Sequence, residues 1–328
     1  MRDNTTASVY QQGTLMTFVS LLGKLGVTKQ FGIGVFMGLQ GYYAPNSVEE
    51  VVSLLLEAAS HSQLAKLLAG GTDVLVQMHS GLNKPDVLVN LKKVKETNRL
   101  DINDREIYIG AAIPSAQMQE HQNLKELLPG LLEAADLIGS TQVQGRATIC
   151  GNLCNASPAG DSIPALIAAG AVCDIANKEG GRQLSVEDFV VGVGRNALEP
   201  GEFLLGVSVP TPSSTKKDAY LRFIPRTEMD IAVAGAGVAI AVEDNKCVEA
   251  RIAIGAVAPT ARLVERAGEA LVGHEISDER IESAVAACRD AASPISDKRG
   301  TAAYRKKVVG VLVKRAIKIA ESRVREAA

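Results

Sequence analysis

The residues with the clearest chemical potential lie in one short segment, TICGNLCNASPAGD, at positions 148–161. It contains two glycines, two asparagines and a proline, and it has few large side chains to bury. We therefore expect a turn-rich loop with many backbone N–H groups directed outward. Such groups bind phosphate oxygens, because each donates a hydrogen bond and their partial positive charges add. On chemistry alone, the segment is either part of a phosphate-bearing cofactor site or a plain loop.

Asp161 closes this segment just before an apolar run, IPALIAAG, which predicts a helix. Its carboxylate is either the N-cap of that helix or an acceptor of hydrogen bonds from a ribose or an adenine. A second glycine turn, KLLAGGTDV, lies upstream at residues 66–74. Gly70 and Gly71 permit backbone angles and a close approach that a side chain would forbid.

Together the two segments resemble the FAD-binding subunit of the xanthine dehydrogenase family, which includes the medium subunits of bacterial carbon monoxide dehydrogenases. In that family an AGGTD-like turn and a TIGGN…ASP…D segment wrap the FAD pyrophosphate. Here the matching positions are residues 69–73, residues 148–152, residues 156–158 and Asp161. Cys150 is a departure, because the family usually has glycine there. This pair of motifs is far more specific than a lone glycine turn.

The resemblance implies that both segments hold the pyrophosphate and adenosine of FAD. It also implies that Leu205 and Arg222 line the adenine and ribityl side of the cofactor. The implied cofactor-binding residues are Lys66, Leu67, Leu68, Ala69, Gly70, Gly71, Thr72, Asp73, Val74, Thr148, Ile149, Cys150, Gly151, Asn152, Asn155, Asp161, Leu205 and Arg222.

By the same resemblance, the chain is the FAD-binding electron-transfer subunit of a molybdenum hydroxylase. In such enzymes a large subunit holds molybdopterin, a small subunit holds two [2Fe–2S] clusters, and the flavin subunit passes electrons to an acceptor. A dimer of heterotrimers is the expected assembly. Two alternatives stay open: a stand-alone flavin reductase with the same FAD-binding fold, and a nucleotide-binding protein without a redox role.

Other chemistry is not indicated. None of the four histidines stands at metal-ligand spacing from another histidine or from a cysteine pair. Cys150 and Cys154 form a C-x3-C pair without a second pair, which does not predict zinc or an iron–sulfur cluster. We therefore predict no catalytic side chain and no metal site in this chain. A flavin that relays electrons needs no nucleophile from the protein, because the isoalloxazine carries the redox chemistry.

Composition sets outer limits on function. The 328 residues are 46% hydrophobic and 22% charged, which is ordinary for a globular protein of two or three domains. The net charge of −2 gives no reason to expect nucleic acid or an anionic membrane as a partner. Five cysteines, an odd number, favour a reducing compartment, and we expect a cytoplasmic protein without a membrane span.

The fold class predicted is α+β. Residues 1–37 form an atypical leader, with Met37 as a possible true start. Residues 38–212 are predicted to form a two-subdomain FAD-binding domain of the PCMH/VAO type. Residues 217–325 are predicted to form a smaller domain with a three-stranded antiparallel sheet and helices. The Pro- and Ser-rich segment TPSSTKKD, at 211–218, marks the boundary between the two.

Local patterns predict the elements that position the glycine turns. Ser47 and Glu50 form a capping box before an apolar helical stripe. AKLLAG predicts a strand that leads into the first glycine turn, and Asp73 is expected to open a short helix. In the C-terminal part, strands are predicted around AYLRFIPR, IAVAGAGVAIAVED and CVEARIAIGAVAP, with turns at TEMD and DNK. Helices are predicted at about 262–272, 277–291 and 301–325.

Overall fold

The structure, a computed structural model, describes residues 38–226 and 230–327. The predicted leader and most of the predicted TEMD turn lie outside these residues. The strands are β1 Gly41–Tyr43, β2 Ala65–Leu68, β3 Val87–Asn90, β4 Leu100–Ile102, β5 Glu106–Gly110, β6 Val172–Ala176, β7 Arg182–Ser185, β8 Val190–Gly192, β9 Arg195–Asn196, β10 Phe203–Pro210, β11 Lys216–Phe223, β12 Ala234–Glu243, β13 Lys246–Gly255 and β14 Arg262–Leu263. The helices are α1 Val48–Ser60, α2 Val74–His79, α3 Ser115–Glu120, α4 Gln122–Leu127, α5 Pro129–Asp136, α6 Thr141–Gln144, α7 Ile149–Cys154, α8 Ser162–Ala169, α9 Val186–Phe189, α10 Glu265–Glu269, α11 Asp278–Ala291 and α12 Ala302–Ala327.

The first layer is a parallel sheet of three strands in the order β1-β3-β2. Helix α1 covers one face, and its buried residues include Val51 and Val52. The predicted cap is present, because the Ser47 hydroxyl accepts a hydrogen bond from the Glu50 N–H. The Glu50 carboxylate reaches the N–H of Asn46, one residue beyond the usual capping-box partner. Strand β2 of this sheet delivers the first glycine turn.

The second layer is an antiparallel sheet in the order β4-β5-β10-β6-β7. One face, with Ile107, Ile109 and Val207, joins the largest apolar core of the described chain, which helices α5, α7 and α8 complete. Thus the N-terminal part contains two α/β subdomains, as predicted, and strands β8 and β9 add a small hairpin beside them.

The C-terminal part contains the three predicted antiparallel strands, β11, β12 and β13, as direct neighbours. The predicted DNK turn is a two-residue connection, and Asp244 and Asn245 both adopt positive φ, as a type I′ hairpin requires. The prediction of three strands was incomplete. Arg262 and Leu263 pair with β13 as a fourth strand, so the helix expected at 262–272 is confined to α10.

The two parts are packed tightly against each other. Helices α11 and α12 cover one face of the C-terminal sheet. Helix α8 approaches it so closely that a β-carbon on Gly237 would lie 2.4 Å from the carbonyl oxygen of Pro164. The contact therefore depends on a glycine in the middle of β12, where a side chain would normally strengthen the strand.

Candidate cofactor site

A cleft of about 490 Å³ lies between the two N-terminal subdomains. This volume is within the usual range for small-molecule and cofactor sites. Both glycine segments line it. The predicted residues found in its walls are Lys66, Leu67, Ala69, Gly70, Gly71, Thr72, Asp73, Val74, Thr148, Cys150, Gly151, Asn152 and Asn155.

The first wall is the glycine turn between β2 and α2. The N–H groups of Gly70, Gly71 and Thr72 donate to no acceptor within residues 38–226 and 230–327. Gly71 has φ +86°, which L side chains rarely adopt. Three consecutive amides at the edge of a cleft have the chemistry of an anion-binding nest.

The second wall corrects the prediction of a continuous loop at 148–161. Residues Ile149–Cys154 form helix α7, and the Thr148 hydroxyl caps it by accepting a hydrogen bond from the Gly151 N–H. The helix forms because Ile149 and Leu153 reach the main core, which the small residues around them had obscured. The loop proper begins after the helix, where Ala156 adopts a positive φ of 49°.

The two walls are tied together by their side chains. The Asn155 Nδ2 donates to the Asp73 Oδ2 at 2.6 Å, across 82 residues of sequence. Within the second wall, Asn152 Oδ1 and the Ser162 hydroxyl are 2.8 Å apart. Three of the polar side chains predicted to bind the cofactor, Asp73, Asn152 and Asn155, therefore also fix the spacing and the shape of the cleft.

A third wall was missed by the sequence analysis. It is the strap of residues 196–204, which leads from β9 into β10 and includes Leu198, Pro200 and Leu204. Arg182 holds this strap, because its Nε and Nη2 both bond to the Glu202 carboxylate, at 2.9 and 2.7 Å. The Asn196 side chain donates to the Cys154 carbonyl oxygen and so joins the strap to α7. The Gly-Glu pair that precedes β10 can be seen in the sequence, but it does not by itself predict the strap. Its role becomes clear only when the arginine that binds this glutamate is known.

Five predicted residues do not line the cleft. Leu68 and Ile149 are buried in apolar cores. Leu205 lies where the register of β10 with β6 shifts, between Leu204 and Gly206, and it lines a different pocket, whereas its neighbour Leu204 lines the cleft.

Asp161 and Arg222, the other two, form a buried ion pair with each other at 2.6 Å. Asp161 stands at the N-cap position of α8 but makes no capping bond with its side chain. Its other oxygen accepts a hydrogen bond from the Tyr220 hydroxyl, and Arg222 also donates to the Leu137 carbonyl oxygen. The pair joins the N-terminal part to β11. Leu137 is followed by Ile138, which lines the cleft. The ion pair therefore bonds to the residue next to the cleft wall and does not itself line the cleft.

Among the described residues, the cleft is lined by one cation, Lys66, and by three carboxylates, Asp73, Glu199 and Glu202, of which Glu202 is paired with Arg182. Lys92 lies next to the wall residue Leu91. Burial, with a smaller effect of the Arg146 guanidinium, lowers the pKa of Lys92 below its usual value. Burial raises the pKa of the Cys154 thiol to about 12, and that of Cys150 well above its usual value, so both thiols stay protonated. The lining thus supplies amides, an ammonium group, three carboxylates and apolar contacts, and both of its thiols stay protonated.

These observations agree with FAD as the occupant. A free-amide cradle at Gly70, Gly71 and Thr72 faces a capped helix start across the cleft, and apolar residues continue in both directions. Across the described ranges, no group of three or more histidine, cysteine or acidic side chains has the arrangement of a metal site. No helix in the same ranges is long and apolar enough to cross a membrane. All five cysteines are free.

Comparisons with known proteins agree with FAD as the cofactor of this chain. Residues 33–212 match the family model described as the FAD binding domain in molybdopterin dehydrogenase. Residues 219–320 match the CO dehydrogenase flavoprotein C-terminal domain. The carbon monoxide dehydrogenase medium chain of Afipia carboxidovorans is 32% identical over 87% of this chain and 97% of that protein.

The nicotinate dehydrogenase FAD-subunit of Eubacterium barkeri is 30% identical over 82% of this chain and 91% of that protein. Among solved structures, carbon monoxide dehydrogenase from Hydrogenophaga pseudoflava superposes with a TM-score of 0.81 at 32% identity. The match covers 86% of this chain and 97% of that chain.

The fold and the site define an FAD-binding subunit of an oxidoreductase. The chain belongs to the family of FAD-binding subunits of molybdopterin dehydrogenases, of the carbon monoxide and xanthine dehydrogenase type.

Proposed function

We propose that this chain relays electrons through FAD, from the [2Fe–2S] clusters of a small partner subunit to an acceptor. A large partner subunit with molybdopterin would oxidise the substrate. The names of the relatives, a medium chain and an FAD-subunit, support an assembly of this kind. A dimer of heterotrimers is the assembly that we expect.

One observation carries the proposal: within residues 38–226 and 230–327 the amides of Gly70, Gly71 and Thr72 donate to no acceptor, and they line a cleft whose thiols stay protonated. Gly70, Gly71 and Thr72 would donate to the phosphate oxygens, and Lys66 would add positive charge. The strap, with Leu198, Pro200 and Leu204 in the cleft wall, would cover the cofactor and limit its contact with water. When bound, the flavin supplies the electron-transfer chemistry, and the protein supplies binding and orientation.

The residues proposed to contact FAD are the predicted residues that line the cleft and those of the strap, including Leu204. The buried pair Asp161–Arg222 is proposed to support FAD binding indirectly, because it holds the segment that contains Ile138. Leu205 is also proposed to lie near FAD, since its neighbour Leu204 is part of the cleft wall.

The test uses the assembled enzyme and its separated parts. The flavin of this chain should be reduced when the iron–sulfur subunit, reduced beforehand with dithionite and freed of excess reductant, is added. The isolated chain, loaded with FAD, should not oxidise any hydroxylase substrate, because it holds no molybdenum. Turnover of such a substrate by the isolated chain would contradict the proposal and favour a stand-alone flavoenzyme.

A further inference from the structure

A single side chain closes part of the strap, residues 197–202, into a short loop. At the beginning of the loop, the Arg182 Nη2 donates to the Ala197 carbonyl oxygen at 2.8 Å. At its end, the same guanidinium bonds to the Glu202 carboxylate, through Nε at 2.9 Å and Nη2 at 2.7 Å. Arg182 itself belongs to strand β7, in the antiparallel sheet of the second subdomain. One guanidinium therefore fixes both ends of the loop to that sheet.

Glu202 is the acceptor that completes this closure. Besides Arg182, its carboxylate accepts hydrogen bonds from the Asn177 Nδ2 at 3.3 Å and from the Glu199 N–H at 2.9 Å. The bond from Arg182 lowers the pKa of Glu202 to about 2, so the carboxylate is ionised and its bonds are charge-assisted. None of residues 197–202 belongs to a helix or a strand, so the loop depends largely on these side-chain bonds.

The closed loop crosses the cleft to the first subdomain. Three of its residues, Leu198, Glu199 and Pro200, line the cleft, as does Glu202. Gly201 lies against helix α1, since a β-carbon there would be 2.5 Å from the Leu56 side chain. Polar bonds thus hold the loop to the second subdomain, and an apolar side-chain contact joins it to the first.

A cofactor that lies under such a loop can leave only when the loop opens. The free energy of a local opening is set by the contacts that the opening segment itself makes. Loops that close over a bound molecule therefore set the rates of its entry and release. Arg182 does not line the cleft, so it can change these rates without contacting the cofactor.

We propose that Arg182 is a latch that keeps residues 197–202 closed over bound FAD and thereby sets the rate at which FAD is released. This inference rests on the proposal that FAD occupies the cleft. Arg182 is a positioning residue, because it acts on the cofactor through Glu202 and the loop.

The test follows the exchange of bound FAD against an excess of isotopically labelled FAD in the full chain, with the cofactor analysed by mass spectrometry. Arg182→Gln should release FAD about tenfold faster or more, because it breaks both attachments of the loop. Association of FAD with the apoprotein should be at least as fast as in wild type, since an opened loop also admits the cofactor. Arg182→Lys should be intermediate, because it keeps the charge but loses the paired geometry of the guanidinium.

The double variant Arg182→Gln with Glu202→Gln separates the latch from charge repulsion. In Arg182→Gln the unpaired Glu202 carboxylate lies in the cleft wall and would itself repel the phosphates of FAD. The double variant removes that charge but leaves the loop without its latch, so its release of FAD should stay fast. A return to the wild-type rate would overturn the latch, because the effect would then come from repulsion.

Arg251→Gln is the matched control. Arg251 is 28% exposed, against 34% for Arg182, and it also bonds to a glutamate, Glu187, and to a backbone carbonyl oxygen, that of Ile167. Neither Arg251 nor Glu187 lines the cleft. The control should release FAD like wild type. Amide hydrogen exchange of residues 197–202 should be faster in the Arg182→Gln apoprotein and unchanged in the control, which reports the opening of the loop without the cofactor.

Release of FAD at the wild-type rate in Arg182→Gln would overturn the latch, as would slower association with unchanged amide exchange, which would indicate general damage. Gly71→Val separates the latch from the cofactor site. If it loses flavin while Arg182→Gln exchanges FAD like wild type, the site stands and the latch fails. If it keeps full flavin, the cleft is not the FAD site, and the latch fails with it. Failure of the reduced iron–sulfur subunit to reduce the flavin would contradict the electron relay alone, since FAD exchange requires no electron transfer.

Discussion

Gly70 lies directly against the backbone of Arg146, and a β-carbon on Gly70 would be 2.2 Å from the Arg146 carbonyl oxygen. The contact joins the first wall of the cofactor cleft to the residues that lead into the second wall. Gly70 is therefore required by the protein itself, apart from any contact with a cofactor. Gly71 has a different constraint, its φ of +86°.

We predict that Gly70→Ala and Gly71→Val both lower FAD occupancy, for different reasons. Gly70→Ala should push the two walls apart. Gly71→Val places a branched side chain at positive φ and brings its β-carbon to 2.7 Å from the Leu68 side chain. Each strain is worth about 1–3 kcal/mol, and affinity falls tenfold for roughly every 1.4 kcal/mol. Flavin per chain after gel filtration is the measurement.

Gly145→Ala is the matched control for both glycine variants. A β-carbon there would meet nothing within 4 Å, and the residue has helical backbone angles. It should bind FAD like wild type. Full flavin content in Gly71→Val would show that the turn at 69–73 does not cradle the phosphates.

The sequence pointed to the two glycine segments that line the cleft because their glycines have local causes, a positive φ and close backbone contacts. The sequence analysis did not predict α7. This helix forms because Ile149 and Leu153 pack into a core that is built by strands distant in sequence. Leu205 was predicted as a cofactor residue, whereas Leu204 is the residue of β10 that lines the cleft. Which face of β10 points into the cleft is set by its pairing with β5 and β6, and a shift of one residue reverses it.

The hydrogen bond between Asp73 and Asn155 should contribute to FAD affinity by holding the walls at a fixed distance. We predict that Asp73→Ala and Asn155→Ala each weaken FAD binding, and that the double variant is no weaker than the more affected single variant. The expected coupling energy is about 0.5–1.5 kcal/mol. FAD titration of all four apoproteins measures it. Strict additivity would mean that the two side chains act on the cofactor independently.

Asp161→Ala should affect folding more than FAD binding, because it leaves Arg222 as an unpaired buried charge. Removing one partner of a buried ion pair costs about 3–5 kcal/mol. Arg222→Met added to Asp161→Ala should recover much of the lost stability, since it removes the uncompensated charge. Urea unfolding of the apoproteins checks this. If the double variant is less stable than Asp161→Ala, the cost comes from another contact.

Cys150→Gly introduces the residue that we expect from the family motif and should leave FAD bound. The thiol is buried and donates only a long hydrogen bond, to the Ile109 carbonyl oxygen at 3.9 Å, so little hydrogen bonding is lost. Glycine is a poor helix former, and loss of the buried side chain leaves a space in the main core, so stability should fall by about 1 kcal/mol or more. Flavin content should stay at the wild-type value while the denaturation midpoint falls. Loss of flavin would assign the thiol a direct part in the site.

The junction of the two domains contains an interaction that crosses the predicted boundary. Both carboxylate oxygens of Asp218, on β11, accept hydrogen bonds from the first amides of α5, Gly130 N–H at 2.8 Å and Leu131 N–H at 2.9 Å. The carboxylate thus caps a helix of the other domain, 88 residues away in sequence. Arg323 of α12 completes the junction by bonding to Glu133 and to the Asp218 carbonyl oxygen.

Burial raises the pKa of Asp218 from 3.8 to about 6, although the two amides and the Arg323 guanidinium oppose the shift. Between about pH 4 and pH 6 the folded chain therefore binds more protons at this group than the unfolded chain, and the free energy of unfolding decreases as pH rises. We predict that the stability of wild type relative to Asp218→Asn falls across this window, by on the order of 3 kcal/mol at most. Urea unfolding at several pH values measures the difference, with the exposed Asp104→Asn as control. A difference that rises with pH would show that the amides and Arg323 outweigh burial, and that the cap stays ionised in the folded chain.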